Sequence, residues 1–182
     1  MKKGLIIAAA MILAICLGVG GTLAYLFVKT QTVTNTFSPS DITLKLEETT
    51  GSNYQMIPGK DISKNPKVSA NGDLPYYVFV KVGKENAPDT YLEYTINSAW
   101  TKLDGVDNVY YIAVNGGELA ATSVLTGDKV TTKDEITKTQ MEALKTSGDL
   151  PQLIFTAYAI QQAGFNTPAA AWTQLKTQYS IQ

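Results

Sequence analysis

Residues 76–82 read YYVFVKV, and both alternating faces of this stretch are apolar until Lys81. Aromatic and β-branched side chains fit the pleated surface of a strand. A strand without a polar face is typical of the centre of a sheet that is covered on both sides. The stretch therefore predicts a central, fully buried strand.

Shorter strand patterns lie on both sides of this stretch. Ile42, Leu44 and Leu46 alternate with polar residues and predict a strand over residues 42–47. Between the two, residues 48–73 are a long polar connection in which we expect only short extended pieces. Turn residues separate five further predicted strands, which cover residues 91–96, 109–114, 119–125, 129–132 and 153–161.

Two short helices are predicted between and after these strands. The first covers residues 137–145. The second begins with Thr167 as its cap and Pro168 at its first position, and Trp172 and Leu175 share one face of it. Many short strands with one or two short helices predict an all-β protein, an antiparallel β-sandwich of jelly-roll type.

Composition excludes several classes of function. The chain has no His and a single Cys, Cys16, so it cannot carry Ser-His-Asp or Cys-His catalysis or an ordinary zinc site. All 15 cations are lysines and the net charge is −1, which argues against nucleic-acid binding. Acidic neighbours such as Glu47-Glu48 and Asp134-Glu135 diverge in a strand or turn and are interpreted as surface charge. No catalytic residue, metal ligand or cofactor is predicted.

The N-terminus has the pattern of a secretory leader. Two lysines precede an uncharged run that extends from residue 4 to residue 28. Its most hydrophobic part fits the core of a signal peptide, and small residues at Thr22 and Ala24 predict cleavage between Ala24 and Tyr25. Residues 1–24 are thus expected to be a signal peptide, with an uncleaved membrane anchor as the alternative. Lipidation at Cys16 is disfavoured because Ile15 before it is too large.

Residues 25–37 form a separate predicted unit before the domain of residues 38–182. Its alternating pattern predicts a strand with two different faces. One face carries a valine and four threonines, and the other carries two apolar residues beside polar ones: Val28, Thr30, Thr32, Thr34 and Thr36, and then Val33 and Phe37.

Three segments of the chain resemble the TasA and camelysin family of secreted Gram-positive matrix proteins. They are GGTLAYLFVKTQTVTNTFSPSDITLKLEET (residues 20–49), MIPGKDISKNPKVSANGDLPYYVFVKV (56–82) and LIFTAYAIQQAGFNTPAAAW (153–172), about half of the chain in the family's order. The resemblance implies a leader cut by a SipW-type signal peptidase and a jelly-roll domain that polymerises. It also implies that residues 28–37 act as a donor strand, which completes the sheet of the next subunit.

The leading hypothesis is therefore a secreted, non-enzymatic structural protein of the cell surface or biofilm matrix. Its expected partners are further copies of itself or related matrix subunits, with the membrane involved only through an uncleaved leader. One alternative is a monomeric surface module that binds carbohydrate or another ligand. The aromatic pairs Tyr76-Tyr77 and Tyr110-Tyr111 could stack on a sugar, but neighbours in a strand point to opposite faces, so packing is favoured, with one ring of each pair in the core and the other partly exposed. The other alternative is a secreted metallo-endopeptidase, as the name camelysin implies, which the absence of His disfavours.

Overall fold

The computed structural model describes residues 41–51 and 53–181, and these form ten strands and three α-helices. The strands are β1 Ile42–Glu47, β2 Asp61–Ser63, β3 Lys67–Gly72, β4 Tyr76–Glu85, β5 Leu92–Glu93, β6 Thr101–Lys102, β7 Val109–Val114, β8 Gly117–Ser123, β9 Lys129–Thr132 and β10 Gln152–Gln161. The helices are α1 Pro88–Tyr91, α2 Lys138–Ser147 and α3 Pro168–Tyr179, and a 3₁₀ turn covers Thr126–Asp128.

The strands form three antiparallel sheets. Sheet 1 has the order β1-β3-β8, sheet 2 has the order β10-β4-β7-β6, and sheet 3 has the order β2-β9-β5. The prediction of an all-β fold with few short helices is confirmed. The jelly-roll connection of the strands remains a prediction.

Strand β4 is an inner strand of sheet 2 and is covered on both faces, as its sequence predicts. Its first five residues are all buried, and alternate side chains serve two different cores. Tyr76, Val78 and Val80 face sheet 1 in the sandwich core. Tyr77 and Phe79 face α3, which covers the outer side of sheet 2. Each side chain is thus removed from water, and this burial is the main driving force that holds the layers together.

Helix α3 is built as its sequence predicts. The Thr167 hydroxyl accepts a hydrogen bond from the backbone N–H of Ala170 at 3.2 Å, and Pro168 occupies the first turn. Trp172 and Leu175 are 2% and 3% exposed. The helix therefore closes the second core with its apolar face.

Helix α2 begins at a capping box. The Thr137 hydroxyl accepts from the backbone N–H of Gln140 at 3.3 Å, and the Gln140 side chain accepts from the backbone N–H of Thr137 at 2.8 Å. Two N–H groups that a helix would leave without partners are satisfied in this way. Leu144 is the buried residue of this helix.

Loss of this cap should weaken the domain measurably. Thr137→Ala is expected to lower the free energy of unfolding by about 1 kcal/mol, because an N-cap hydroxyl is worth that much in a helix of this kind. Urea unfolding followed by circular dichroism measures the change. Thr139→Ala, two residues further along and exposed within the helix, is the matched control. An equal loss in both variants would contradict the role of the cap.

Several boundaries differ from the predictions. The six-residue strand β3 lies within the connection that we expected to hold only short extended pieces, and it is the middle strand of sheet 1. The strand predicted over residues 91–96 is reduced to Leu92–Glu93 because helix α1 runs into it. Further along, Ile96 makes a single bridge to Leu125. Strand β8 begins and ends two residues before its predicted limits.

Candidate functional site

The first feature of interest is the free edge of β10. This ten-residue strand pairs with β4 along its whole length, from Gln152 opposite Glu85 to Gln161 opposite Tyr76. It is the outermost strand of sheet 2, and within residues 41–51 and 53–181 no strand pairs with its other side. One row of backbone groups is therefore available for a further strand.

The hydrogen-bond pattern identifies which residues carry that row. Val82 N–H donates to the Asn108 carbonyl at 2.8 Å, so the even-numbered residues of β4 bond toward β7. Since bonding directions alternate along a strand, the odd-numbered residues of β4 bond toward β10, where their partners are even-numbered. Gln162 N–H, which donates to the Pro75 carbonyl at 2.9 Å, continues this pattern. The free N–H and C=O groups of β10 thus belong to its odd-numbered residues, Leu153, Phe155, Ala157, Ala159 and Gln161.

This edge lacks the features that normally block strand addition. The sequence QLIFTAYAIQ contains no charged residue and no proline, and its pairing with β4 has no bulge. Exposed edges in natural proteins usually carry such features to prevent association. Leu153, Phe155, Ala157 and Ala159 face the sandwich core but are only partly buried. They share this core with Ile42 and Leu44 of the nearby strand β1, which covers them only in part.

The second feature is an apolar groove next to the start of β10. Its volume is about 1210 Å³, which exceeds the ~300–1,000 Å³ of a usual small-molecule pocket. Ile57, Leu150 and Ile154 line it and are 54%, 54% and 40% exposed. The remaining walls come from sheet 3 and α2, with residues such as Ile62, Leu92, Val130, Met141 and Leu144. Three large exposed apolar side chains in one concave surface are typical of an interaction site.

A polar cluster around Glu48 also lines the groove, on the side next to Phe155 of β10. Lys64 Nζ donates to both carboxylate oxygens of Glu48 at 3.0 Å, and the Tyr54 hydroxyl donates to Oε1 at 2.7 Å. The same Nζ lies 5.1 Å from the ring centroid of Tyr54 and 5.5 Å from that of Phe155. The Asn65 side chain accepts from two backbone N–H groups of the neighbouring turn. This Glu48 cluster fixes the chain after β1 against the loop that follows β2.

The cluster also controls the pKa of Glu48. Partial burial on its own would raise the pKa of this carboxyl, but the hydrogen bonds from Tyr54 and Lys64 and the charge of Lys64 outweigh it and lower the pKa below its ordinary value. A carboxyl with a lowered folded-state pKa stabilises the fold fully above its unfolded-state pKa. That stabilisation is lost as the pH falls through the folded-state pKa.

Glu48→Gln should therefore lower stability in a pH-dependent way. At pH 7 we expect a loss of about 1 kcal/mol, the usual size for a charge-assisted contact of a partly exposed side chain. The difference from the unmodified chain should shrink below about pH 4, where carboxyls become protonated. Thermal unfolding across this pH range measures it, with exposed Glu47→Gln as the control. A difference that is the same at every pH would contradict the assignment.

Glu47 and Glu48 are both exposed residues, as the interpretation of this pair as surface charge predicts. Glu48 differs from its neighbour because it is paired with Lys64 in the cluster just described. Asp134 and Glu135 are exposed, as expected. Tyr76 and Tyr77 are both buried, although one exposed ring was predicted, because α3 covers the outer face.

The predicted cleavage residues Thr22, Ala24 and Tyr25 lie outside the described residues. The same holds for the predicted donor-strand residues, Val28, Thr30, Thr32, Val33, Thr34, Thr36 and Phe37. Within residues 41–51 and 53–181 there is no group of three or more acidic side chains placed to hold a metal ion. None of the helices in the described part of the chain is long and apolar enough to cross a membrane.

The fold and this site together define an antiparallel β-sandwich with an open strand edge beside an apolar groove. Comparisons of the chain with protein-family models, with curated proteins and with solved structures gave no match. The free edge of β10 and the groove are therefore the features that bear on its function.

Sequence reasoning did not find the groove or the Glu48 cluster. The groove is lined by residues from widely separated segments, including 53–57, 138–145 and 150–154. One local signal of the groove is the run from Leu150 to Ile154. Leu150 lies just before β10, and the neighbouring apolar residues Leu153 and Ile154 lie on opposite faces of the strand where it begins.

Proposed function

We propose that this chain is a secreted structural protein of the cell surface or extracellular matrix, which assembles by adding the N-terminal strand of one copy to β10 of the next. The observation that carries the proposal is the free edge of β10, with ten uncharged residues and a regular row of available backbone groups. Such an edge is satisfied by another strand, which contributes main-chain hydrogen bonds for affinity and alternate side chains for specificity.

The predicted donor segment matches this edge in length and in chemistry. Residues 28–37 and β10 each have ten residues. The donor segment is rich in threonine and valine, which favour extended structure. If the donor segment is added beside β10, the side chains on one of its faces would cover the partly buried side chains of β10, which include Phe155 and Ala157. This cover removes apolar surface from water and supports association.

The leader supports the same proposal. A signal peptide that ends at Ala24 keeps the donor segment attached to a membrane leader until it is cut, so that assembly would begin only after export. The resemblance to the TasA and camelysin family suggests a SipW-type peptidase for that cut and related matrix subunits as further partners. Addition of one copy to the next is not closed by symmetry, so it produces filaments rather than rings or dimers.

Electron microscopy of two forms of the protein tests the proposal. The chain that begins at Tyr25 should form filaments, whereas the chain that begins at Ser38 should remain monomeric. Adding a peptide of residues 25–37 to the shorter chain should give a one-to-one complex without filaments, and the same peptide with Val33→Pro is the control. Monomers from both chains, or filaments from both, would contradict strand addition.

A monomeric surface binding module is the second candidate, and the apolar groove is the observation that favours it. In that case both forms would stay monomeric in the same experiment. The groove would then bind its ligand equally well with and without residues 25–37.

A further inference from the structure

A second exposed apolar feature lies at the turn between β3 and β4. We call this turn, which consists of Asp73, Leu74 and Pro75, the tip. All three residues are exposed, and the Leu74 side chain is 48% exposed. A large aliphatic side chain that is exposed in a turn has an unfavourable free energy of hydration. Contact with another surface would remove this side chain from water.

The tip is held in a defined conformation. Gln162 N–H donates to the Pro75 carbonyl at 2.9 Å, and the Tyr76 hydroxyl donates to the Gly117 carbonyl at 2.9 Å. Gly116, with a φ of +88°, lies so close that a Cβ on it would be 3.1 Å from the Asp73 carbonyl oxygen. A turn that is already ordered loses little conformational entropy on binding.

The tip and the groove lie at opposite ends of the sandwich. At the tip end, Ile42 pairs with Gly72 and Tyr76 pairs with Gln161. At the groove end, Glu85 pairs with Gln152, next to the groove residues Leu150 and Ile154. The ten residues of β4 separate the two ends by roughly 30 Å. One end thus presents an apolar projection and the other an apolar depression.

We propose that the tip of one copy inserts Leu74 into the groove of the next copy. The inference rests on the proposed strand addition and specifies its direction. Asp41, the first residue that the structure describes, lies at the tip end, because Ile42 next to it lies opposite Gly72. If residues 28–37 run antiparallel to β10 of a neighbour, Phe37 comes near Gln152 and the groove.

The connection between the two contacts is short. Only residues 38–40 separate Phe37 from Asp41, and the four steps between the Cα atoms of these two residues span at most about 14 Å. The tip end of the donor copy is therefore held next to the groove end of the acceptor copy. A parallel donor would instead bring two tip ends together and leave both grooves uncovered.

Charges at the two surfaces agree with this arrangement. Asp73 is exposed at the tip, and Lys145 is exposed at the rim of the groove. Neither side chain is in an ion pair with any residue of the described ranges. The contact would pair them while Leu74 covers Leu150, Ile154 and Ile57. Each copy uses different surfaces for its two neighbours, and such a heterologous contact propagates.

Crosslinking between single-cysteine variants tests the contact. The chain from Tyr25 contains no Cys, because the one in the sequence is Cys16. Leu74→Cys chains are mixed with Leu150→Cys chains, allowed to assemble, and treated with a short bismaleimide. Linkage between residues 74 and 150 should clearly exceed that between Leu74→Cys and Gln174→Cys, an exposed position on α3, because a short linker joins only thiols that the contact brings close together.

The same assembly gives a second measurement. Leu74→Asp should raise the lowest concentration at which filaments form about tenfold or more, whereas Gln174→Asp adds the same charge on α3 and should leave it unchanged. Filaments that form normally without 74–150 linkage would overturn the tip contact and leave strand addition standing. Failure of the unmodified chain from Tyr25 to assemble would overturn both.

Discussion

Ala157→Pro is expected to abolish filament formation while leaving the domain folded. The N–H of Ala157 belongs to the free row of β10, so its loss removes no bond to β4. A proline on that row removes a donor that an added strand needs, and its ring obstructs the approach of the strand. The effect on assembly should therefore be complete, because addition is repeated at every subunit.

Two measurements check this prediction. Electron microscopy of the chain from Tyr25 reports assembly, and thermal unfolding of the chain from Ser38 reports the fold. Ala157→Ser keeps the N–H and a small side chain, so it should assemble as the unmodified chain does. Filaments from the proline variant would show that β10 is not the acceptor edge.

Trp172→Ala is expected to cause the largest loss of stability, about 3–5 kcal/mol. The indole is 2% exposed, and its ring centroid lies 5.3 Å from that of Phe79 and 5.5 Å from that of Tyr158. Its removal leaves a cavity between α3 and sheet 2. Domains of this size are stable by only about 5–15 kcal/mol, so the variant should unfold at a much lower denaturant concentration.

Trp172→Phe separates packing from hydrogen bonding. The indole N–H is buried and has no acceptor among the described residues. Replacing Trp172 with Phe reduces the volume of the ring, which destabilises the core, but it also removes an unsatisfied buried donor, which offsets part of that loss. The loss should be well below that of the alanine variant. Urea unfolding monitored by circular dichroism measures both. A loss under about 1 kcal/mol for Trp172→Ala would mean that α3 is not part of the cooperative core.

Much of the fold could be predicted from local patterns. Strands β1, β7 and β9 begin and end where predicted, and the caps at Thr137 and Thr167 start their helices. These elements have strict alternation or a capping residue, both of which act over a few residues. The central strand β4 was recognised because each of its faces is apolar, which requires cover on both sides.

The misses come from contacts between distant segments. Strand β3 reads KVSANG, in which only small residues and one valine face inward, so its sequence resembles a loop. Its place in sheet 1 is fixed by β1 and β8 on its two sides. Likewise, no local pattern says that Glu48 meets Lys64 or that β10 lies at the edge of its sheet. Strand order is a property of the whole fold.

Hydrogen exchange at single residues of β10 tests the central claim most directly. In the monomeric chain from Ser38, the N–H groups of Phe155, Ala157 and Ala159 should exchange rapidly, while those of Thr156 and Tyr158, which bond to β4, should be protected. In filaments of the chain from Tyr25, both sets should be protected, because the added strand pairs with the odd-numbered row. Rapid exchange of Phe155, Ala157 and Ala159 within intact filaments would contradict strand addition to β10.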